Sequence, residues 1–491
     1  MSSDVPGACR DRPVVGIVGA GFSGTMVAAQ LLRQPGGPLD VVLVERTGRF
    51  GPGLAYGARD DRHLLNAPAE RMSAFEGAPL HFSQWAEARL GQIATGSYLP
   101  RRLYGEYLES VLDDAAGCAP EHRRLHRVVD TVVDARERPD GIELSLGSGG
   151  RVRCDRVVVA TGNAPQTPLP GLPRDPRIVT DPWAPGALCP HPAAGTILVV
   201  GTGLTAVDAV LSITAGGAGP SIIAVSQRGG FPHTQVADLY EASPPPPIPP
   251  GPITVDEAEQ HVRDHVDRMT DAGYGWRAAI DGLRPTVPQL WMRMPLDERR
   301  RFLAGPAGRW DRCRHRTAPE AAQRLRWLDA RGRLEVVGGR VVSGRATAAG
   351  IEVEVEEGER RSVIAADRVV VCAGPARDVT RVSGPFERAL LRRGLATPDP
   401  LGLGLRAAPN GALLGVGDEP SRRLFTLGPP LRGELWETTA VADIRVQAER
   451  LATALDASLA ERASSSGPYE ASMWTFGRDD GEIPGRRAAF G

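Results

Sequence analysis

The chain has 491 residues and no lysine; all 58 of its basic residues are arginine. That absence excludes a Schiff-base lysine, a phosphate-loop lysine and a lysine general base. The six cysteines, Cys9, Cys118, Cys154, Cys189, Cys313 and Cys372, include no close pair. This argues against a disulfide framework, a cysteine-based zinc site or a dithiol flavin reductase, and makes a reducing cytoplasm the expected location. No apolar run reaches the roughly 20 residues that cross a bilayer, and the polar start MSSDVPGACRDRP does not read as a signal peptide. A formal net charge of −1 offers no basic surface for nucleic acid or membrane. What remains is an ordinary globular composition, 42% hydrophobic and 24% charged, long enough for roughly three domain-sized units.

Two glycine-rich turns stand out. The first runs from Val14 to Gly24 and ends Gly19-Ala20-Gly21-Phe22-Ser23-Gly24; the second runs from Thr196 to Asp208 through Gly201-Thr202-Gly203-Leu204-Thr205-Ala206. Each is an apolar strand that opens a helix. The first glycine makes the tight turn and the second lets a pyrophosphate approach the backbone. The small third residue packs helix on strand, and the helix N-terminus faces the negative charge. Two such turns in one chain predict two dinucleotides that exchange electrons. The first predicts a strand near 13–18, a helix near 22–34, and a second strand Leu39–Glu45. Glu45 then lies where a ribose 2′-OH is recognised, with Arg46 beside it.

After the second turn, the strand Ile222–Ser226 ends without a carboxylate, and Ser226 and Arg228 are available instead. A guanidinium pairs with a 2′-phosphate that a carboxylate would repel, so NADPH is expected, with NADH as the alternative. The strand Arg156–Val159 leads into Ala160-Thr161-Gly162, and Val369–Gly374 echoes it downstream. The expected organisation is a discontinuous FAD-binding domain (1–165 and 376–491) with an NAD(P)-binding domain (190–235 and 330–375) inside it. A helical insertion (236–330) follows the proline run at 244–250, with Thr254 as N-cap.

Gly51-Pro52-Gly53 suits a loop that follows a flavin's ribityl chain. Asn66 reads either as a hydrogen-bonding partner of the flavin or nicotinamide, or as an Asx-turn residue before Pro68. Arg314, His315 and Arg316 form a basic cluster that fits either an anionic substrate or salt bridges between domains. His261 and His265 have metal-ligand spacing but no third ligand, so a solvated helix face and no metal are expected. Gly417-Asp418 reads as a turn, and the strand after it reaches Gly428, with Pro429 where many flavoproteins carry aspartate. A helix is expected from near Trp436. Thr438 would then lie in its first turn, with N–H groups aimed at the flavin pyrimidine, and Trp436 is either a site or a core aromatic.

The segments Leu54–Gly57, His63–Asn66, Tyr98–Gly105, Gly201–Asp208 and Gly433–Val441 resemble, in matching order over nearly the whole chain, one FAD/NAD(P)-binding flavoprotein monooxygenase group. It includes a bacterial FAD-dependent urate hydroxylase and the aspartate N-monooxygenases that form nitrosuccinate. The resemblance implies an α/β two-dinucleotide fold with FAD, NADPH and O2. It implies hydroxylation of a small polar substrate through a C4a-(hydro)peroxyflavin and leaves the substrate open; the arginine-rich insertion favours N-hydroxylation of a small amino acid or amine, with Asn66, Arg314, His315, Arg316 and Trp436 expected near the chemistry. A urate-type C-hydroxylase and an NAD(P)H reductase passing electrons to another acceptor are the alternatives.

Overall fold

The computed structural model describes residues 12–166, 169–189, 195–216, 219–227, 229–374 and 378–464. Its centre is a six-stranded sheet in the order Ala412–Leu414, Pro420–Thr426, Arg156–Val159, Val14–Val18, Leu39–Glu45, Arg123–Val129. All neighbours are parallel except the edge pair at Ala412–Leu414. Val14–Val18 reads VVGIV because both its faces are covered, as central parallel strands require. One face carries the helices Phe22–Arg33, Arg101–Gly117 and Val441–Ser464, whose apolar sides close over Ile17, Val41 and Leu43. The other carries an antiparallel meander, Val132–Arg138, Gly141–Leu146 and Arg151–Cys154. Residues from both ends of the chain thus share one sheet.

A second, five-stranded parallel sheet repeats the plan in the order Leu334–Gly338, Ser221–Ser226, Thr196–Val200, Arg368–Val371, Ile178–Val179. The helix Leu204–Ile213 covers one face, together with Pro319–Asp329, which packs Ala321, Leu325 and Leu328 there. Another meander, Arg340–Ala346, Ile351–Glu357 and Arg360–Ala366, covers the opposite face. In both sheets the strand returning from the meander lies directly beside the strand that feeds the glycine turn.

Five further helices, Val255–Asp271, Trp276–Gly282, Val287–Arg293, Leu296–Ala304 and Pro306–Arg314, form a separate core around Trp291, Leu283 and Leu290. Thr254 caps the first with a full capping box: its side chain accepts from the Glu257 N–H, and Glu257 accepts from the Thr254 N–H. His265 departs from the expected solvated face. It is buried, with Nε2 3.2 Å from both the Ser243 hydroxyl and the Ala279 carbonyl, because the turn after the helix folds Trp276–Gly282 back over it.

Candidate active site

At the first turn, Gly19 has φ +99°, and a Cβ there would lie 2.5 Å from the Ala160 carbonyl oxygen. Glycine is forced at that position by backbone conformation and by the returning strand. Gly24 is forced too, because a Cβ would run into the Gly19 carbonyl. Gly21 differs. It is the N-cap of Phe22–Arg33 with an ordinary φ of −74°, and its Cβ would merely touch Gly53 Cα at 3.4 Å. No side chain caps this helix, so its first N–H groups point into the space above Gly21.

The second turn has the same anatomy. Gly201 has φ +111° and lies against the Cys372 carbonyl. Gly203 is the uncapped N-cap of Leu204–Ile213 with φ −72°, and a Cβ there would meet nothing within 4 Å. The fold does not need glycine at Gly21 or Gly203. Glycine there leaves each helix N-terminus open, as a pyrophosphate would require.

The expected residues fall around these two turns. Phe22 and Ser23 begin the first helix, and Gly428 (φ +69°) presses against Ser23, since a Cβ on it would come within 2.7 Å of the Ser23 hydroxyl. Gln447, which no sequence motif singles out, holds this edge together. Its Oε1 accepts from the Gly428 N–H at 2.8 Å and its Nε2 donates to the buried Thr438 hydroxyl at 2.7 Å. Glu45 is buried at its strand end, accepting from the Ala20 N–H at 3.0 Å and from the Thr47 N–H and hydroxyl at 2.9 Å. A carboxylate has room for a further donor, so these bonds orient it without consuming it. Arg46 is exposed beside it, and Thr161 and Gly162 follow the strand against which Gly19 packs. Leu204 and Thr205 form the first turn of the second helix, and Ser226 ends its strand. Arg228 lies outside the described residues.

Residues 16–164 match the family model described as FAD-NAD(P)-binding. No curated protein sequence matches the chain. Among solved structures, the reduced form of the ornithine hydroxylase from Pseudomonas aeruginosa superposes with a TM-score of 0.58 at 16% identity, over 91% of this chain and 99% of that one. The ornithine N-hydroxylase from Kutzneria sp. 744, solved with reduced FAD, NADP+ and L-ornithine, gives 0.58 at 15%, over 92% and 100%. The L-lysine 6-monooxygenase from Pseudomonas syringae gives 0.55 at 18%, over 91% and 100%. At such identities the likeness is one of fold.

The residues expected near the chemistry are distributed less simply. Asn66 is half-buried, and its segment is pinned beside Tyr98–Arg101 by the Leu65 N–H to Leu99 carbonyl bond of 2.9 Å. Arg314 and Arg316 are both committed to carboxylates of the chain. Arg314 donates to Glu437 at 2.8 Å and faces Asp281 at 3.4 Å; Arg316, 1% exposed, pairs with Asp281. Asp281 also accepts from Tyr240 at 2.7 Å and from Arg71 at 3.2 Å. Burial raises the carboxyl of Asp281, but Arg316 and Arg314 outweigh it and the net shift is downward. The same competition lowers Glu437, where Arg314 overcomes burial. His315 remains partly exposed, 3.8 Å from Asp311. The cluster therefore joins the five-helix unit to Arg71 and to Glu437 near the C-terminal helix.

Trp436 is buried in the core of the helical insertion, stacked on Trp291 at 5.0 Å and edge-on to Phe302 at 5.4 Å. The helix expected from near Trp436 begins instead at Val441. Glu437 intervenes at φ +68°, a left-handed conformation that breaks helical continuity and turns its carboxylate toward Arg314 and Trp310.

Proposed function

We propose that this protein is an FAD-dependent, NADPH-using monooxygenase that hydroxylates a nitrogen of a small amine or amino acid. The carrying observation is the pair of open, uncapped helix N-termini at Gly21 and Gly203, where neither φ nor a Cβ clash requires glycine. FAD fits the first: Phe22, Ser23 and Gly24 supply helix N–H groups, Glu45 suits the ribose, and Gly53 and Gly428 let the chain pack closely against Gly21 and Ser23. NADPH fits the second, with Leu204 and Thr205 over the pyrophosphate and Ser226 near the adenosine ribose, and with Arg228 assigned to the 2′-phosphate. A fold shared with an ornithine N-hydroxylase whose structure holds reduced FAD, NADP+ and L-ornithine supports the reaction class.

Bound flavin would supply the redox and oxygen chemistry. The chain's own residues would do the rest. Backbone N–H groups of the two helices neutralise phosphate charge, and Asn66 offers an amide donor and acceptor to the reacting rings. Thr438 is tied through Gln447 to Gly428 at the first turn. Trp436 and Trp291 stack in the core that holds Glu437's segment in place. Arg314 and Arg316 hold the insertion in place and leave Arg71, 30% exposed, as the least enclosed cation that pairs with Asp281. Among the described residues, Cys154 and Cys372, which lie beside the two turns, are buried singly, and burial raises both thiols far above their usual range. Neither can act in a dithiol relay beside the flavin.

The test is anaerobic reduction by NADPH followed by mixing with oxygen, with ornithine, lysine, aspartate and urate supplied in turn. Flavin should be reduced, and one nitrogen substrate should yield a hydroxylamine in proportion to NADPH consumed. Reoxidation at one rate with every compound, with only hydrogen peroxide formed, would overturn the proposal in favour of a reductase. Hydroxylation of urate alone would move the oxygen to carbon.

A further inference from the structure

Between the two glycine turns the chain builds a buried polar clasp. Asp208 lies on the helix Leu204–Ile213, five residues beyond Gly203, and is 3% exposed. Its carboxylate pairs at 2.8 Å with Arg101, which opens the helix Arg101–Gly117 on the other sheet. Arg101 also donates to the Leu64 carbonyl at 3.0 Å, and its own N–H donates to the His63 carbonyl at 2.8 Å. On the same face of Leu204–Ile213, the Ser212 hydroxyl donates to Asp60 at 2.5 Å. His63 Nε2 lies 2.8 Å from the Ser212 oxygen and 3.2 Å from the Asp208 backbone carbonyl. A carbonyl can only accept, so Nε2 carries the proton. Among the described residues, the side-chain contacts of Asp208 and Ser212 go to the short segment 60–66 and to the arginine that braces it.

We infer that Asp208 and Arg101 are positioning residues that fix the register of the second dinucleotide turn against the Asn66 segment. The inference rests on the proposed cofactor assignment. Asp208 moves rigidly with the helix N-terminus that would hold the nicotinamide dinucleotide, and Arg101 moves rigidly with the strand pairing that carries Asn66. One ion pair, removed from water, therefore couples the two halves across which hydride must pass. Hydride transfer tolerates little misplacement; an error of about 1 Å can cost as much as about 100-fold. Nucleotide binding alone does not require this register, because the pyrophosphate contacts lie wholly on one side of the pair.

The test uses full-length Asp208→Asn and Ser212→Ala with FAD bound. In Asp208→Asn the limiting rate of flavin reduction should fall by about 10- to 100-fold, while NADP+ affinity and flavin content stay near wild type. Hydrogen exchange without any nucleotide should rise together in 204–213, 60–66 and 98–103. Arg101→Lys should restore part of the rate that Arg101→Gln loses. An unchanged reduction rate would overturn the inference, as would an exchange increase confined to 204–213. If Asp208→Asn does not accumulate, Ser212→Ala must show the same joint exchange increase or the inference fails. Should wild-type protein not be reduced by NADPH at all, the cofactor assignment falls, and the exchange experiment still reads the clasp.

Discussion

At the scale of single residues, the informative contrast is between glycines the fold needs and glycines it does not. Gly19 and Gly201 are fixed by positive φ and by a carbonyl of the returning strand, so their presence says little beyond the turn itself. Gly21 and Gly203 have neither constraint. Charged residues divide in the same way. Asp60 works within the chain: burial raises its carboxyl, but hydrogen bonds from Arg62 and Ser212 outweigh this and hold it at about 2, against an ordinary 3.8. A lowered folded-state pKa stabilises the fold above the unfolded value, and that stabilisation fades as pH falls through the folded value. The stability gap between wild type and Asp60→Asn should therefore be full above about pH 5 and shrink between about pH 4 and pH 2. Denaturation midpoints across that range measure it, and a gap independent of pH would remove Asp60's hydrogen bonds from the account.

At the scale of elements, the strands and helices of the two turns were legible because hydrophobic runs and glycine spacing are local signals. Leu39–Glu45 appears with the expected bounds, and Thr254 caps its helix as its spacing with Glu257 suggests. Replacing Thr254 by Ala should cost about 1 kcal/mol of local stability. Hydrogen exchange in the first turn, 255–258, should then quicken by about fivefold, with Thr254→Ser close to wild type; equal exchange in all three would show the capping box to be inert. The C-terminal helix was misplaced by five residues because the positive φ of Glu437 answers to Arg314, more than 100 residues away, and no local pattern encodes that pairing. His265 was misread for the same reason, since the segment that buries it follows only after a turn. Gln447 and Asp281 escaped notice because each sits in ordinary helical sequence and acquires its role only by packing.

At the scale of the whole molecule, two sheets repeat one plan: a strand, a glycine turn, a helix, an antiparallel cover and a return strand beneath the first glycine. The sequence announces the two turns. It also carries the echo of Arg156–Gly162 in Val369–Gly374 and the expectation that 376–491 rejoins the first unit, but not the strand order: Arg156–Val159 lies between Val14–Val18 and Pro420–Thr426, and Arg368–Val371 beside Thr196–Val200. The polar links between the two units were visible only as separate motifs, Tyr98–Gly105 and Gly201–Asp208, until Arg101 met Asp208.

The most direct test of the account is the flavin content and anaerobic reduction of Gly203→Val beside Gly21→Val. A Cβ at Gly203 meets no protein atom within 4 Å, so that variant should fold, purify yellow with full flavin and be reduced normally by dithionite, yet be reduced by NADPH only at concentrations far above those wild type needs. Gly21→Val should purify without flavin. Normal NADPH reduction of Gly203→Val, or a fully loaded Gly21→Val, would contradict the assignment of the two turns to two dinucleotides.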